Sequence, residues 1–291
     1  MKLKFPKEPY NFGGVVEPTW AKAKVAVLPI PYESSTSYGG GANKGPAAII
    51  EASRHVELWD LELGKDFSKL GFFTLPELEA DVKGPQAMSS RITETVSQII
   101  KENKWPLILG GEHSITPGVV EAFKKKYKKL SVLQIDAHTD LRDEYQGSPY
   151  SHASAMKRVY DLGVPHVAVG IRAVSEEEVV FIKKSNLAKN IFYGTDVPIE
   201  KIINQLSDEV YLTFDIDGLD PTLVPGTGTP EPGGLGWQQV LDLIKAVAKK
   251  RKIVGADIVE LAPIPGMPAG DFLTAKLAYK IIGYSFFGQK G

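Results

Sequence analysis

The chain has 291 residues, 43% hydrophobic and 24% charged, with a formal net charge of −1, ordinary values for a globular chain that buries a sizeable core. Near-zero charge without a basic patch argues against a nucleic-acid partner, and the absence of cysteine excludes disulfides and thiolate metal ligation. No stretch of about 18 apolar residues is available to cross a membrane, and Met1-Lys2-Leu3-Lys4-Phe5-Pro6 lacks the apolar core of a secretion signal, so a cytoplasmic protein is expected.

Apolar runs and amphipathic segments alternate along the chain. Residues 25–30 read as a first strand, and the weak run 71–73 as another. Residues 47–61 read as a helix carrying His55, and 89–103 as the next helix. The strand at 106–109 is followed by a helix at 117–126 that places Pro117 in its first turn, where a missing N–H costs nothing. The lysine-rich run 124–129 reads as the solvated end of that helix, favourable near its C-terminal dipole. Strands are expected at 131–135, 166–170, 191–193, 210–214 and 253–259, with helices at 175–184 and 238–250. His166 opens a buried strand and reads as structural, like His55. Continuous apolar strands alternating with helices predict a mainly parallel sheet covered on both faces. With no repeat or long linker, residues 1–291 read as a single domain.

The chemistry gathers after the strands. Asp136-Ala137-His138-Thr139-Asp140 follows the run 131–135, and Asp215-Ile216-Asp217 follows 210–214. Residues two apart on a strand share a face. If strand geometry continues, Asp136, His138 and Asp140 converge, and Asp215 and Asp217 do the same. Acids left unpaired there would repel one another and resist desolvation, and bound cations remove both problems. His113, in Gly110-Gly111-Glu112-His113, offers a further ligand, and Glu260 lies just after the run 253–259. All these positions sit where ligands collect in open parallel sheets, beyond the carboxyl ends of the strands. A carboxylate-rich set suits Mg, Mn or Ca, and imidazoles shift the balance towards Mn. The set is too acidic for one metal and suits two, which predicts a binuclear metallohydrolase. Asp220-Pro221 reads as a turn, Gly39-Gly40-Gly41 as a flexible loop near a pocket mouth, and residues 225–230 as a tight loop under the site.

These residues carry a family resemblance. Gly-Gly-Glu-His-Ser-Ile at 110–115, Asp-Ala-His-Thr-Asp at 136–140, Ser-His-Ala-Ser at 151–154 and Phe-Asp-Ile-Asp-Gly-Leu-Asp-Pro at 214–221 resemble the signatures of the ureohydrolase (arginase/agmatinase) family. The resemblance spans about residues 31–283. Thr36-Ser37-Tyr38, Gly45-Pro46-Ala47-Ala48-Ile49 and residues 228–234 resemble the agmatinase branch. Glu112 stands where the family often has Asp; it is not a ligand position, and little consequence is expected. The resemblance implies a three-layer α/β/α sandwich with an eight-stranded parallel sheet, two Mn²⁺ ions per subunit, and a homo-oligomer, trimeric or hexameric. It further implies that His113 and Asp140 bind one ion, His138 and Asp217 the other, and that Asp136 and Asp215 bridge both.

The activity expected is hydrolysis of a small cationic guanidine substrate to urea and an amine. His152 is the candidate proton carrier because imidazole titrates near neutral pH. Glu260 is the candidate anchor for the guanidinium through paired charge-assisted hydrogen bonds. Agmatine, or an agmatine-type polyamine such as aminopropylagmatine, is the expected substrate. Asp143 and Glu144 are placed to face its cationic tail, while Arg142 would suit the carboxylate of arginine. The alternatives are an arginase or other guanidine hydrolase, a single-zinc deacetylase of similar fold, and a catalytically silent paralogue that binds a metabolite.

Overall fold

The structure is a computed structural model that describes residues 9–288. Ten strands occur among these residues: β1 (Val25–Ile30), β2 (Trp59–Asp60), β3 (Lys65–Asp66), β4 (Phe72–Thr74), β5 (Trp105–Gly110), β6 (Leu130–Ile135), β7 (His166–Ile171), β8 (Ile191–Tyr193), β9 (Glu209–Asp215) and β10 (Lys252–Val259). Eight form one sheet in the order β4-β1-β5-β10-β9-β6-β7-β8, and every pairing in it is parallel. β2 and β3 form a separate antiparallel hairpin. The long central strands are buried along almost their whole length, as a sheet covered on both faces requires. The edge strands β4 and β8 have three residues each, which limits the unpaired backbone left open.

Alternation along each strand divides the core between two layers. Val25, Val27, Leu107, Leu109, Leu133, Ile135, Leu212 and Phe214 pack on one face with α1 (Gly45–Ser53), α6 (Ile199–Gln205), α7 (Trp237–Lys250) and α8 (Ala269–Phe287). Ala26, Leu28, Ile108, Val132, Ala168 and Tyr211 pack on the other with α2 (Pro85–Lys101), α3 (Thr116–Lys126), α4 (Ala155–Asp161) and α5 (Glu176–Lys184). The result is the expected three-layer α/β/α arrangement.

Two expected helices change. The segment 47–61 does not stay helical: α1 ends at Ser53, and Trp59–Asp60 enters the hairpin. His55 therefore lies beyond the helix, 61% exposed, with its Nε2 3.6 Å from Glu51. Asp60 explains the hairpin, because its carboxylate is buried and takes the Lys280 ammonium at 2.8 Å. α2 begins at Pro85, one turn before the expected start, with proline again in the first turn. The long α8 escapes a periodicity search because it is apolar nearly all round and buried on most sides. His166 is buried at the start of β7 as expected, and burial pushes its imidazole down to about 4.

The loop after β5 is fixed by backbone contact. Gly111 donates to the Ile30 carbonyl at 2.9 Å, and Glu112 N–H donates to Tyr32 at 2.9 Å. A Cβ at Gly111 would lie 2.1 Å from the Tyr32 oxygen, a backbone atom that cannot swing aside. Gly111→Ala should therefore cost at least about 2 kcal/mol, measured by urea unfolding against a surface Ala control.

Candidate metal centre

His113 leaves β5 on a short 3₁₀ turn that leads into α3. Its Nε2 lies 2.9 Å from Thr213 Oγ1 on β9, which leaves Nδ1 to face the acids. That atom is buried without a hydrogen bond, yet it stands 3.2 Å from Asp136, 3.0 Å from Asp140 and 3.4 Å from Asp215. Three carboxylate oxygens around one orphaned ring nitrogen form a cation's coordination shell better than a hydrogen-bonded one.

A second group adjoins the first. His138 Nδ1 lies 3.0 Å from Asp217 and 3.8 Å from Asp136. Asp136 thus sits between the imidazoles, and two triads able to hold a metal share it: His113, Asp136 and Asp140, and Asp136, His138 and Asp217. Asp215 reaches the His113 side, and its Oδ1 accepts the Asp217 N–H. The donor set fits two hard cations.

Convergence is achieved by turns rather than by continued strand. β6 ends at Ile135. His138 N–H and Ala137 N–H donate to Asp136 and Asp217 at 2.6 and 3.0 Å. Asp140 adopts the left-handed conformation, φ 51°, uncommon outside glycine but tolerated by Asp. Two supports escaped the sequence reading. Glu178 in the first turn of α5 accepts from Thr139 Oγ1 and Leu141 N–H at 2.6 and 2.9 Å. Arg172, after β7, donates to the carbonyls of Asp217, Leu219 and Glu231, and its N–H donates to Ala137. A long acid and an arginine in these loops read only as solvated charge until the fold brings their partners in.

Burial and mutual repulsion dominate the electrostatics. Burial, with the charges of Asp217 and Asp140, pushes Asp136 up to about 7. Asp215 is raised well above the carboxylate range by burial and by the charges of Asp217 and Asp136. Glu260 is pushed up to about 8, chiefly by burial. Burial disfavours charge on His138, but Asp217 outweighs it and raises the ring to about 11. His113 is likewise raised by its three acids against its burial. Asp217 is lowered, because the His138 ring overcomes the cost of burial.

A cavity of about 200 Å³ opens onto His138, Asp140, Asp215 and Asp217. His152 and Glu260 line it too, so six of the eight candidate residues meet at one cavity, with His113 and Asp136 buried in contact with that group. His152 begins a short turn, its ring edge-on to Tyr145 at 5.6 Å. Glu260 has φ 66°, and its Oε1 accepts the His113 N–H at 2.7 Å. Thr36–Gly39 and Thr227–Thr229 complete the wall, joined where Gly39 N–H donates to the Gly228 carbonyl at 3.0 Å. The glycine loop expected to be flexible is thus tied, and the Glu33 carboxylate also accepts from Gly41 and Asn43 N–H. Asp220 makes its expected turn, accepting from Thr222, Gly233 and Gly234.

One expectation fails at the pocket mouth. Asp143 does not face the cavity; Arg158 and Lys157 hold its carboxylate at 3.0 and 3.3 Å. Glu144 is absent from the lining, whereas Arg142 and Tyr145 are present. The local sequence could not reveal that two cations on α4 would claim Asp143.

Paired acid–imidazole triads over the carboxyl edge of a parallel α/β/α sheet define a class of two-metal hydrolases. Comparison with known proteins narrows this class: the chain belongs to the arginase family, whose profile matches residues 23–286. It is 40% identical over 278 residues to the N(1)-aminopropylagmatine ureohydrolase of Synechocystis sp., covering 91% of this chain and 90% of that protein. It is 36% identical over 253 residues to the agmatinase of Bacillus cereus, covering 85% and 86%. The crystal structure of agmatine ureohydrolase of Thermoplasma volcanium superposes with a TM-score of 0.85 at 32% identity, covering 96% of this chain and 94% of that one. The protein is a hydrolase. Among the described residues no helix is long and apolar enough to cross a membrane.

Without a cation the site is held together by protons. An acid raised in the folded state stabilises the fold when protonated, and that stability drains away between the unfolded value near 4 and the folded value. Imidazoles raised in the fold stabilise it fully below about 6.5 and lose this as pH rises through their folded values. Chelator-treated protein should therefore melt lower at about pH 8 than at about pH 6. Excess divalent cation should raise the midpoint more at the higher pH, because its binding releases those protons. Differential scanning fluorimetry at both pH values checks both statements.

Proposed function

We propose that the chain is a manganese ureohydrolase that cleaves an agmatine-type guanidine, aminopropylagmatine or agmatine, to urea and a primary amine. The observation that carries this reading is the cavity in which His152 and Glu260 face the two acid–imidazole triads. His113, Asp136, Asp140 and Asp215 would hold one ion, and Asp136, His138, Asp215 and Asp217 the other. Two bound ions would supply Lewis acidity and an activated water at neutral pH.

Glu260 receives the planar guanidinium, whose charge favours the ionised carboxylate that burial otherwise opposes. The His113 N–H fixes one of its oxygens, so the acid meets the substrate in a set orientation. The water oxygen bonds to the guanidinium carbon while the carbon–nitrogen bond to the tail breaks. Both hydrogens of that water end on the departing amine, and His152 carries one of them. The products are urea and an alkylammonium.

The wall supports a cationic tail better than an α-carboxylate. Among the described residues Arg142 is the sole lysine or arginine lining the cavity. It is engaged by Glu177 at 3.2 Å and lies over the Tyr145 ring at 5.2 Å. The likeness to relatives named aminopropylagmatine ureohydrolase and agmatinase supports the same choice. In this reading residues 1–291 form one domain, and the enzyme works in the cytoplasm as a homo-oligomer, trimeric or hexameric.

Manganese-loaded protein should release urea from aminopropylagmatine and agmatine and little from arginine, read by colorimetric urea assay. Strong activity on arginine alone would overturn the substrate choice. Asp136→Asn should abolish turnover and reduce the bound metal counted by elemental analysis. Glu260→Gln should lower kcat/KM by about a hundredfold or more, about 2.7 kcal/mol, with the metal content kept.

A further inference from the structure

Glu112, which stands where the family often has Asp, is completely buried and accepts five hydrogen bonds. Ser34 N–H and Ser35 N–H donate at 2.8 and 2.7 Å. The hydroxyls of Ser34, Ser35 and Ser114 donate at 3.3, 3.0 and 2.5 Å. Such a carboxylate is a fixed, acceptor-only post beneath the loop that follows β1. One of its hydroxyls continues to the cavity. Ser35 Oγ lies 3.2 Å from His152 Nδ1 and accepts the His152 backbone N–H at 3.0 Å.

A hydroxyl has one hydrogen, and that of Ser35 is committed to Glu112. Toward His152 the oxygen is left with lone pairs alone, so Nδ1 must be the donor. We propose that Glu112, acting through the Ser35 hydroxyl, is a positioning residue that keeps the His152 proton on Nδ1 and leaves Nε2 as the ring's proton-accepting nitrogen. The arrangement is a carboxylate–hydroxyl–imidazole relay built from Glu112, Ser35 and His152. It orients the ring in two ways at once, because the same oxygen also anchors the backbone from which the ring projects. Nε2 has no protein partner among the described residues. With Nδ1–H fixed, it can take a proton from the attacking water and return it to the departing amine. The other tautomer would present a hydrogen there and could not begin that exchange.

This assignment rests on the proposed role of His152, and a double-mutant cycle separates the two. Single variants Ser35→Ala, Ser34→Ala and His152→Ala, and the pair Ser35→Ala with His152→Ala, are assayed for urea release in manganese-loaded enzyme. Ser35→Ala should lower kcat about tenfold or more, within the range of general acid–base catalysis, with KM changed less than about twofold. Ser35→Thr, which keeps the hydroxyl, should restore most of kcat. Ser34 also bonds Glu112 but does not touch the imidazole, so Ser34→Ala should stay near the wild type. In the His152→Ala background, Ser35→Ala should have no further effect. Additive losses, or equal losses at Ser34 and Ser35, would mean that the loop is merely structural and would overturn the relay. If His152→Ala leaves turnover intact, the relay falls with the role of His152, while urea release by the wild type still stands.

Discussion

Six ionisable side chains are taken out of water within one small volume, Asp136, Asp140, Asp215, Asp217, Glu260 and His113, with the half-buried His138 against them. Desolvation on that scale is the constraint around which the structure is arranged. Isolated buried charges cost far more than a marginally stable fold can supply. The cluster therefore survives only with a compensating cation or with protons held against their usual affinity. Geometry and titration agree here. The ring nitrogen of His113 lacks a hydrogen bond while three carboxylates crowd it, and two of them, Asp136 and Asp215, are raised.

The scaffold answers this constraint by ordering its supports in depth. Behind His113, Thr213 holds the far ring nitrogen, and Thr116 and Tyr211 donate to the buried Asp257 at 2.9 and 2.8 Å. Around the β6 loop, Glu178 and Arg172 satisfy backbone groups that would otherwise be stranded. Ring orientation and loop shape are thereby set by side chains that face away from the cavity, the usual partnership between a ligand and the groups behind it.

Much of this was legible in the sequence because it depends on local order. The apolar runs gave the strands, and the positions of Asp136 and Asp215 after such runs placed them on one rim. Other features depend on contacts between distant segments. The expected helix at 47–61 was cut short because Asp60 is drawn to Lys280, 220 residues away. α8 has no polar face to mark it. Asp143 looked free until α4 supplied Arg158 and Lys157. Glu112 looked inconsequential because its five donors lie on the turn beyond β1 and at Ser114. In each case the missing information was the identity of a partner, which spacing cannot provide.

Strand order has a consequence for how the protein comes into being. β10, although among the last elements in the chain, lies between β5 and β9 in the sheet. Every candidate ligand is synthesised before β10, but His113 and Asp215 hang from the strands on either side of it. They reach their final separation only when that late strand slides between them. Parallel pairing of such distant segments is slow, because loop-closure entropy is lost before the contacts form. A nascent chain thus carries its complete acid set for some time without the geometry to grip an ion. Metal capture becomes the closing event of biogenesis and favours chains whose sheet is already assembled.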